Sequence, residues 1–270
     1  MQVAAQRDRI AAHFDARAPN YARAAGWVTD PVSLEPVITL LSRRPSGVAL
    51  EIGAGSGAVA QAVAMSSAKV RSYVGVDISP AMAREHARHA PSVIGDGHHL
   101  PIAGGRIGTV ICRQSFHYLQ HPDAALAEVV RVLAPDGRLL IAQIVPFDEA
   151  SDQAWWSTAM KIRQPLRKHF WTDAELRSTV ERCGFAVEPT YELRRRTSLN
   201  EWVDRYSLES AARAALLEHF ASTPAPVRSL RAFAESDGDV DYDLRWVFIT
   251  ARPTGAYAES DEARGSADSS

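Results

Sequence analysis

Apolar positions in the first 45 residues recur at helical spacing. Ile10, Phe14 and Tyr21 fall roughly on one face, interrupted near Pro19. A second helix is predicted to start at the Thr29-Asp30-Pro31 cap and to run to about Arg44, carrying Leu34, Val37, Ile38 and Leu41. From Val48 the pattern changes. Short apolar runs near 48–53, 72–77, 92–95, 107–112 and 138–144 read as strands, with helices between them at about 56–66, 79–89 and 122–133. Strands alternating with helices in this way imply a parallel sheet covered on both faces.

After Gln143 the alternation loosens. Residues 148–164, with Trp155 and Trp156, read as an inserted helix. Thr172 reads as an N-cap with Asp173 and Glu175 in the first turn, opening a helix that Gly184 ends. A strand at about 185–193, helices near 198–220 and 224–235, and a last strand at about 240–252 complete the pattern. The expected organisation is an N-terminal helical cap (1–45), a ligand-binding core (46–146), the rest of the core with inserted cap helices (147–236), a final core strand (237–253) and a disordered tail (254–270) rich in Gly, Ala, Ser, Asp and Glu.

Composition narrows the classes. With 46% hydrophobic and 23% charged residues the chain is of ordinary globular type, and a formal net charge of -2 without a basic stripe speaks against a nucleic-acid partner. The two cysteines, Cys112 and Cys183, are too few for a disulfide framework or a zinc site and are expected to pack. His98 and His99 are adjacent and lack metal-ligand spacing, so no metal is expected. The absence of a signal-like apolar core and of any run of about 18 apolar residues leads to the expectation of a cytoplasmic protein with no membrane partner.

The chemistry concentrates in Ala49-Leu50-Glu51-Ile52-Gly53-Ala54-Gly55-Ser56-Gly57, an apolar strand ending in closely spaced glycines before a helix. Glycine permits sharp turning and close approach of a ligand to the backbone, at the strand end where open α/β sheets bind ligands. A tight strand-to-helix turn is the plain reading. The next strand, Tyr73-Val74-Gly75-Val76-Asp77, ends in a carboxylate placed to accept both hydroxyls of a ribose, a role common to dinucleotide and adenosylmethionine sites. The alternative for Asp77 is capping of the helix at Ser79-Pro80.

Two details separate the cofactors. The loop is G-x-G-x-G with Ala58 at the position where a dinucleotide fingerprint has glycine, and Glu51 adds negative charge suited to a sulfonium and an ammonium. Asp96, in Gly95-Asp96-Gly97 after the third strand, can accept from an adenine amine.

These stretches, with Ser115-Phe116-His117-Tyr118-Leu119, Leu133-Ala134-Pro135-Asp136-Gly137 and, more weakly, Phe14-Asp15 and Tyr21, resemble the class I S-adenosylmethionine-dependent methyltransferases. The likeness is to their small-molecule branch related to the ubiquinone and menaquinone C-methyltransferases, over about residues 45–190. The resemblance implies an α/β, Rossmann-like doubly wound sheet of seven strands, the last antiparallel, with N-terminal helices and a helical cap insertion. It implies S-adenosyl-L-methionine as cofactor and S-adenosyl-L-homocysteine as product.

By the same resemblance Gly53, Ala54, Gly55 and Gly57 take the methionine moiety beside Glu51, and Asp77 takes the ribose. Ile78 and Met82 flank the adenine, Asp96 and Gly97 hold its edge, Gln114 and Ser115 face the sulfonium, and Tyr21 closes over the cofactor. His117 is the candidate base, with packing beside the fourth strand as its alternative. Phe147, Trp155, Trp156, His169 and Trp171 are expected either to line a substrate cavity for an aromatic or polyketide-like acceptor of secondary metabolism or simply to pack an added helix. Arg194-Arg195-Arg196 has the capacity to attract an acidic substrate, but a charge run of this length usually forms a solvated surface. The expected activity is methyl transfer to O, C or N of a small molecule by a monomer or homodimer. The rivals are a non-methylating adenosylmethionine enzyme of pericyclase or isomerase type, a regulatory binder, and an NAD-dependent oxidoreductase.

Overall fold

Apolar runs at 48–52, 72–77 and 107–113 are buried along nearly their whole length, because a parallel strand covered on both faces has no solvent side. The computed structural model describes residues 2–21, 26–43, 47–204 and 208–255. In it β1 (Val48–Ile52), β2 (Ser72–Asp77), β3 (Ser92–Ile94), β4 (Ile107–Arg113) and β5 (Leu133–Val145) are parallel. β6 (Phe185–Val187), β7 (Tyr191–Ser198), β8 (Ala234–Ser236) and β9 (Asp239–Pro253) follow. The sheet path is β3-β2-β1-β4-β5-β9-β6, with β9 antiparallel to both neighbours and β7 and β8 also paired to β9. This is the expected doubly wound path of seven strands with an antiparallel last strand, extended by two strands along β9.

The helices are α1 (Gln2–Asp15), α2 (Gly26–Thr29), α3 (Pro31–Arg43), α4 (Ala58–Met65), α5 (Pro80–His86) and α6 (Pro122–Val132), then α7 (Ala150–Arg163), α8 (Asp173–Arg182), α9 (Leu199–Asp204), α10 (Ser210–Ala221) and α11 (Ala225–Leu230). The expected cap of α8 forms as a capping box: Thr172 Oγ1 accepts from the Glu175 N–H, and the Glu175 carboxylate accepts from the Thr172 N–H. Among the described residues, no helix is long and apolar enough to cross a membrane.

Three boundaries beyond residue 184 differ from the sequence pattern, and the strand expected at 138–144 already begins at Leu133. The strand expected at 185–193 is two strands on one edge of β9, and β7 continues to Ser198 through Arg194-Arg195-Arg196, because their backbone groups complete the ladder whatever their side chains. The helix expected at 224–235 stops at Leu230, after which Ala232 adopts φ +48° and β8 begins. The helix expected at 198–220 is α9 and α10, with 205–207 outside the described residues, as is the expected tail from 256 on.

Strand alternation divides the interior into two cores. Ala49, Ile111, Leu140, Ala142, Trp246 and Phe248 face α3, α4, α7 and the later helices, with Trp155, Trp156, Trp202, Phe220 and Tyr242. Leu50, Ile52, Val110, Cys112, Leu139, Ile141, Val247 and Ile249 face α6 and α8. On the first face α7 is tied to the end of α11 by Arg231 and Asp152, both with fully buried side chains. The Arg231 guanidinium lies 4.9 Å and 4.6 Å from the rings of Trp155 and Trp156, and Asp152 also accepts from the Phe147 N–H at 2.7 Å.

Candidate active site

The sheet order reverses between β1 and β4, and a cavity opens at the carboxyl ends of these strands. It encloses about 1550 Å³, solvent at its mouth included. On one side lies the glycine loop. The N–H groups of Gly53 and Ala54 both donate to the Val76 carbonyl, at 2.8 and 3.2 Å, joining the ends of β1 and β2. Gly53 has φ +68°, and a Cβ there would stand 2.4 Å from Ser115 Cβ, so the chain after β4 presses directly on the loop. Ser115 Oγ donates to the Ile52 carbonyl at 2.6 Å.

Asp77 fixes the next turn. Its Oδ2 accepts from the Gly55 N–H at 2.8 Å and its Oδ1 from the Ser79 N–H at 2.9 Å, while Ser79 Oγ caps α5 by accepting from the Met82 N–H. Burial raises the Asp77 pKa to about 6 against the lowering pull of these N–H groups, with Asp15 adding to the rise. The Asp15 carboxylate of α1 in turn accepts from Ser79 Oγ and from the Ala81 N–H, which holds the N-terminal helix over this end. Asp96 accepts from both the backbone and Nδ1 of His98, at 3.0 and 2.6 Å. Burial acts to raise its pKa, but the two bonds from His98 outweigh it and hold the carboxylate below its usual range. His98 Nε2 accepts from the His121 N–H, so its proton sits on Nδ1 toward Asp96.

Glu51 is buried in the cavity wall and accepts from the Tyr73 hydroxyl at 2.7 Å. Burial raises its pKa to about 8, with the Tyr73 hydrogen bond and the Arg113 guanidinium pulling the other way. Arg113 is itself pushed down to about 10 by burial, opposed first by Glu51.

Tyr21, Glu51, Gly53, Ala54, Gly55, Asp77, Ile78, Met82, Asp96, Gly97, Gln114 and Ser115 all line this cavity. Gly57 does not: with φ +83° it starts α4 and packs against His86 and His89. Gln114 Nε2 and Ser56 Oγ are among the polar atoms of cavity residues that are buried without a hydrogen-bond partner, and Gln114 holds φ +54°. Unsatisfied polar atoms beside two carboxylates and a glycine cradle fit a ligand with an amino-acid end and a nucleoside end.

The other side of the cavity is a chamber under α7, lined by Ile144, Trp156, Met160, Arg163, Gln164, Arg167, Arg195, Trp202, Leu244 and Trp246. Of the expected substrate residues only Trp156 lines it. Trp155, one residue and about 100° around the helix, packs on His219 and Phe220 with centroids 5.3 and 4.9 Å away. Phe147 lies under Arg194 and Arg231, and His169 stacks on Trp171 at 4.4 Å.

His117 also stands apart from the expected position. It is 1% exposed, lies off the cavity, and hydrogen-bonds through Nδ1 to Gln143 Oε1 at 3.1 Å. Burial first, then Arg167, lowers its pKa well below the usual imidazole range, so it is a neutral interior group. Arg113, Arg163, Arg167, Trp202 and Trp246 went unsignalled as site residues, and Arg195 was noted only within a triplet read as more usually a solvated surface; a charged residue ending the apolar run 109–112 was the one available cue for Arg113. Among the described residues, no group of three His, Cys, Asp or Glu is placed to hold a metal.

Residues 50–141 match the methyltransferase domain family. A 37.1 kDa protein of a Streptomyces fradiae transposon is 34% identical over 116 residues, 40% of this chain and 33% of that one. The ubiquinone/menaquinone biosynthesis C-methyltransferase UbiE of Burkholderia mallei is 27% identical over 139 residues, 49% of this chain and 57% of that one. The aligned parts thus span between a third and three fifths of the length of these curated relatives. The solved structure of the Bacillus halodurans protein BH2331 shares the fold, with TM-score 0.73 at 20% identity over 81% of this chain and 97% of that one. Residues 50–141 therefore belong to the methyltransferase domain family, on a chain with the class I S-adenosylmethionine-dependent methyltransferase fold that resembles the ubiquinone/menaquinone C-methyltransferases.

Proposed function

We propose that this chain transfers a methyl group from S-adenosylmethionine to O, C or N of a ring-bearing small molecule. The observation that carries the reading is one cavity joining the glycine loop, Asp77 and Asp96 to the aromatic chamber, which supports a meeting of two ligands near Gln114 and Ser115. When bound, S-adenosylmethionine supplies an electrophilic methyl on a sulfonium. Asp77 holds the ribose hydroxyls, Asp96 the adenine amine and the Gly53–Gly55 backbone the methionine end, with Ile78 and Met82 against the base and Tyr21 over it. Glu51 balances the positive charge of that end.

The chain's contribution is alignment and exclusion of water, the two effects on which in-line displacement at a methyl carbon chiefly depends. His117 serves as a neutral wedge behind the wall, where its bonds to Gln143 and, through its carbonyl, to the 168–169 backbone set the segment between β4 and the chamber.

Calorimetry with adenosylmethionine, adenosylhomocysteine and NADH, followed by a search for adenosylhomocysteine formation across an acceptor panel, tests the proposal. Binding of NADH alone would replace it with an oxidoreductase. Cofactor binding without turnover on any acceptor would favour non-methylating chemistry.

A further inference from the structure

In β7 the three consecutive arginines are sorted by the alternation of the strand. Arg194 and Arg196 have side chains 51% and 41% exposed and reach the Asp243 carboxylate. Arg195 is 12% exposed and turns inward, opposite Leu244 in the ladder, as Leu193 lies opposite Trp246; Arg195, Leu244 and Trp246 all line the chamber. Arg195 Nε donates to the Asp30 carboxylate, whereas Nη1 of the same guanidinium is buried with no hydrogen-bond partner. Such a donor calls for an acceptor from a ligand.

The surroundings specify which acceptor. Arg113, Arg163 and Arg167 line the same cavity. Arg163 lies 4.1 Å from the centroid of Trp202 and Arg113 lies 5.6 Å from that of Trp246, so guanidinium and indole planes are interleaved in the wall. The carboxylates Asp77 and Asp96 are committed to the nucleoside end, and Asp30 to Arg195 Nε. A planar fork with an open donor suits a planar carboxylate, and three indoles suit a flat ring.

We propose that the acceptor is an aromatic carboxylic acid, its ring among Trp156, Trp202 and Trp246 and its carboxylate on Nη1 of Arg195. Arg113, Arg163 and Arg167 supply the surrounding positive field. This rests on the methyltransferase reading and names the substrate class for the same cavity. A primary amide still offers its carbonyl to Nη1 but lacks the negative charge that makes the bond charge-assisted and suits the surrounding guanidiniums, so discrimination between acid and amide is built into the chamber.

The test is calorimetry on the full chain saturated with adenosylhomocysteine, titrated with 4-hydroxybenzoate, 4-hydroxycinnamate and indole-3-carboxylate and with the primary amide of each. At least one acid is expected to bind tenfold or more tightly than its amide. Arg195→Lys, which keeps a cation for Asp30 but lacks the second fork nitrogen, should reduce that preference to threefold or less while leaving adenosylhomocysteine binding within threefold. Adenosylhomocysteine binding accompanied by equal affinity for acids and amides, or by no binding of either, overturns the substrate class and leaves methyl transfer standing. An unchanged preference in Arg195→Lys overturns the role of Arg195. Failure of adenosylhomocysteine itself to bind removes the methyltransferase reading and this proposal with it.

Discussion

The N–H of Gly55 donates to Oδ2 of Asp77 across 2.8 Å, so the carboxylate at the end of β2 shapes the loop at the end of β1 before any ligand arrives. Asp77→Ala removes this bond, the one to Ser79 and the proposed acceptor for ribose. Adenosylhomocysteine affinity should fall by about 1–3 kcal/mol, roughly five- to 150-fold, in calorimetry. Unchanged affinity would take Asp77 out of the ribose role.

Two glycines of the loop should respond differently to alanine. Gly53→Ala meets Ser115 Cβ at 2.4 Å as well as a φ of +68°, while Gly55→Ala meets a φ of +56° with open space around it. Gly55→Ala should therefore cost about 1–3 kcal/mol of stability from backbone strain alone, and Gly53→Ala distinctly more, because Ser115 is itself anchored to Ile52. Urea unfolding of the two variants checks the order.

Glu51 predicts a pH dependence with a definite sign. It ionises at about 8 in the fold against an ordinary 4.5, so between these values the native state holds a proton that the unfolded chain has lost. Stability contributed by this group is lost as pH rises through that window. Glu51→Gln should therefore gain in melting temperature over the parent as pH goes from 6 to about 8. A cationic ligand favours the carboxylate form, so adenosylmethionine should expel a proton on binding near neutrality. Its affinity should rise toward pH 8 in the parent and stay lower and flatter in Glu51→Gln. Calorimetry in buffers of different ionisation enthalpy measures the proton directly; none released at pH 7 would contradict the assignment.

Because His117 is buried, neutral and off the cavity, His117→Ala should leave the shape of the pH–rate profile unaltered. It should instead lower stability, by about 1–3 kcal/mol for the Gln143 carbonyl left without its donor. A lost ionisation in the profile would restore a catalytic part for the imidazole.

The ion pair under the cap makes a separate stability prediction. Asp152→Ala strands the Arg231 guanidinium in a site with no solvent exposure and should cost about 3–5 kcal/mol, read by denaturant unfolding.

The cofactor half of the cavity was legible in the sequence because it is local: strand, glycines and acid follow one another within thirty residues, between Leu50 and Asp77, and each residue type has few conformational alternatives. The acceptor half was not. Arg113, Arg163, Arg195, Trp202 and Trp246 come from three strands and two helices and converge only when the sheet and cap assemble. Trp155 and Trp156 look alike as neighbours in sequence, and the rotation of α7 against its supports decides that Trp156 meets the cavity. The polar stretch 194–196 carried no strand periodicity, yet β9 needed a partner along that edge, and pairing with it turned Arg195 inward.

The arginine triplet has one more property. Which guanidinium faces inward depends on the parity of β7 against β9, and the register along that edge of β9 already shifts by one residue between Val187, opposite Ala251, and Tyr191, opposite Phe248. A shift of one would bring Arg194 and Arg196 inside and carry Leu193 and Thr197 out. The chamber's positive charge would survive such a frame error, while the clasp with Asp30 would not, so the triplet buffers charge against mutation and leaves orientation to a single side chain.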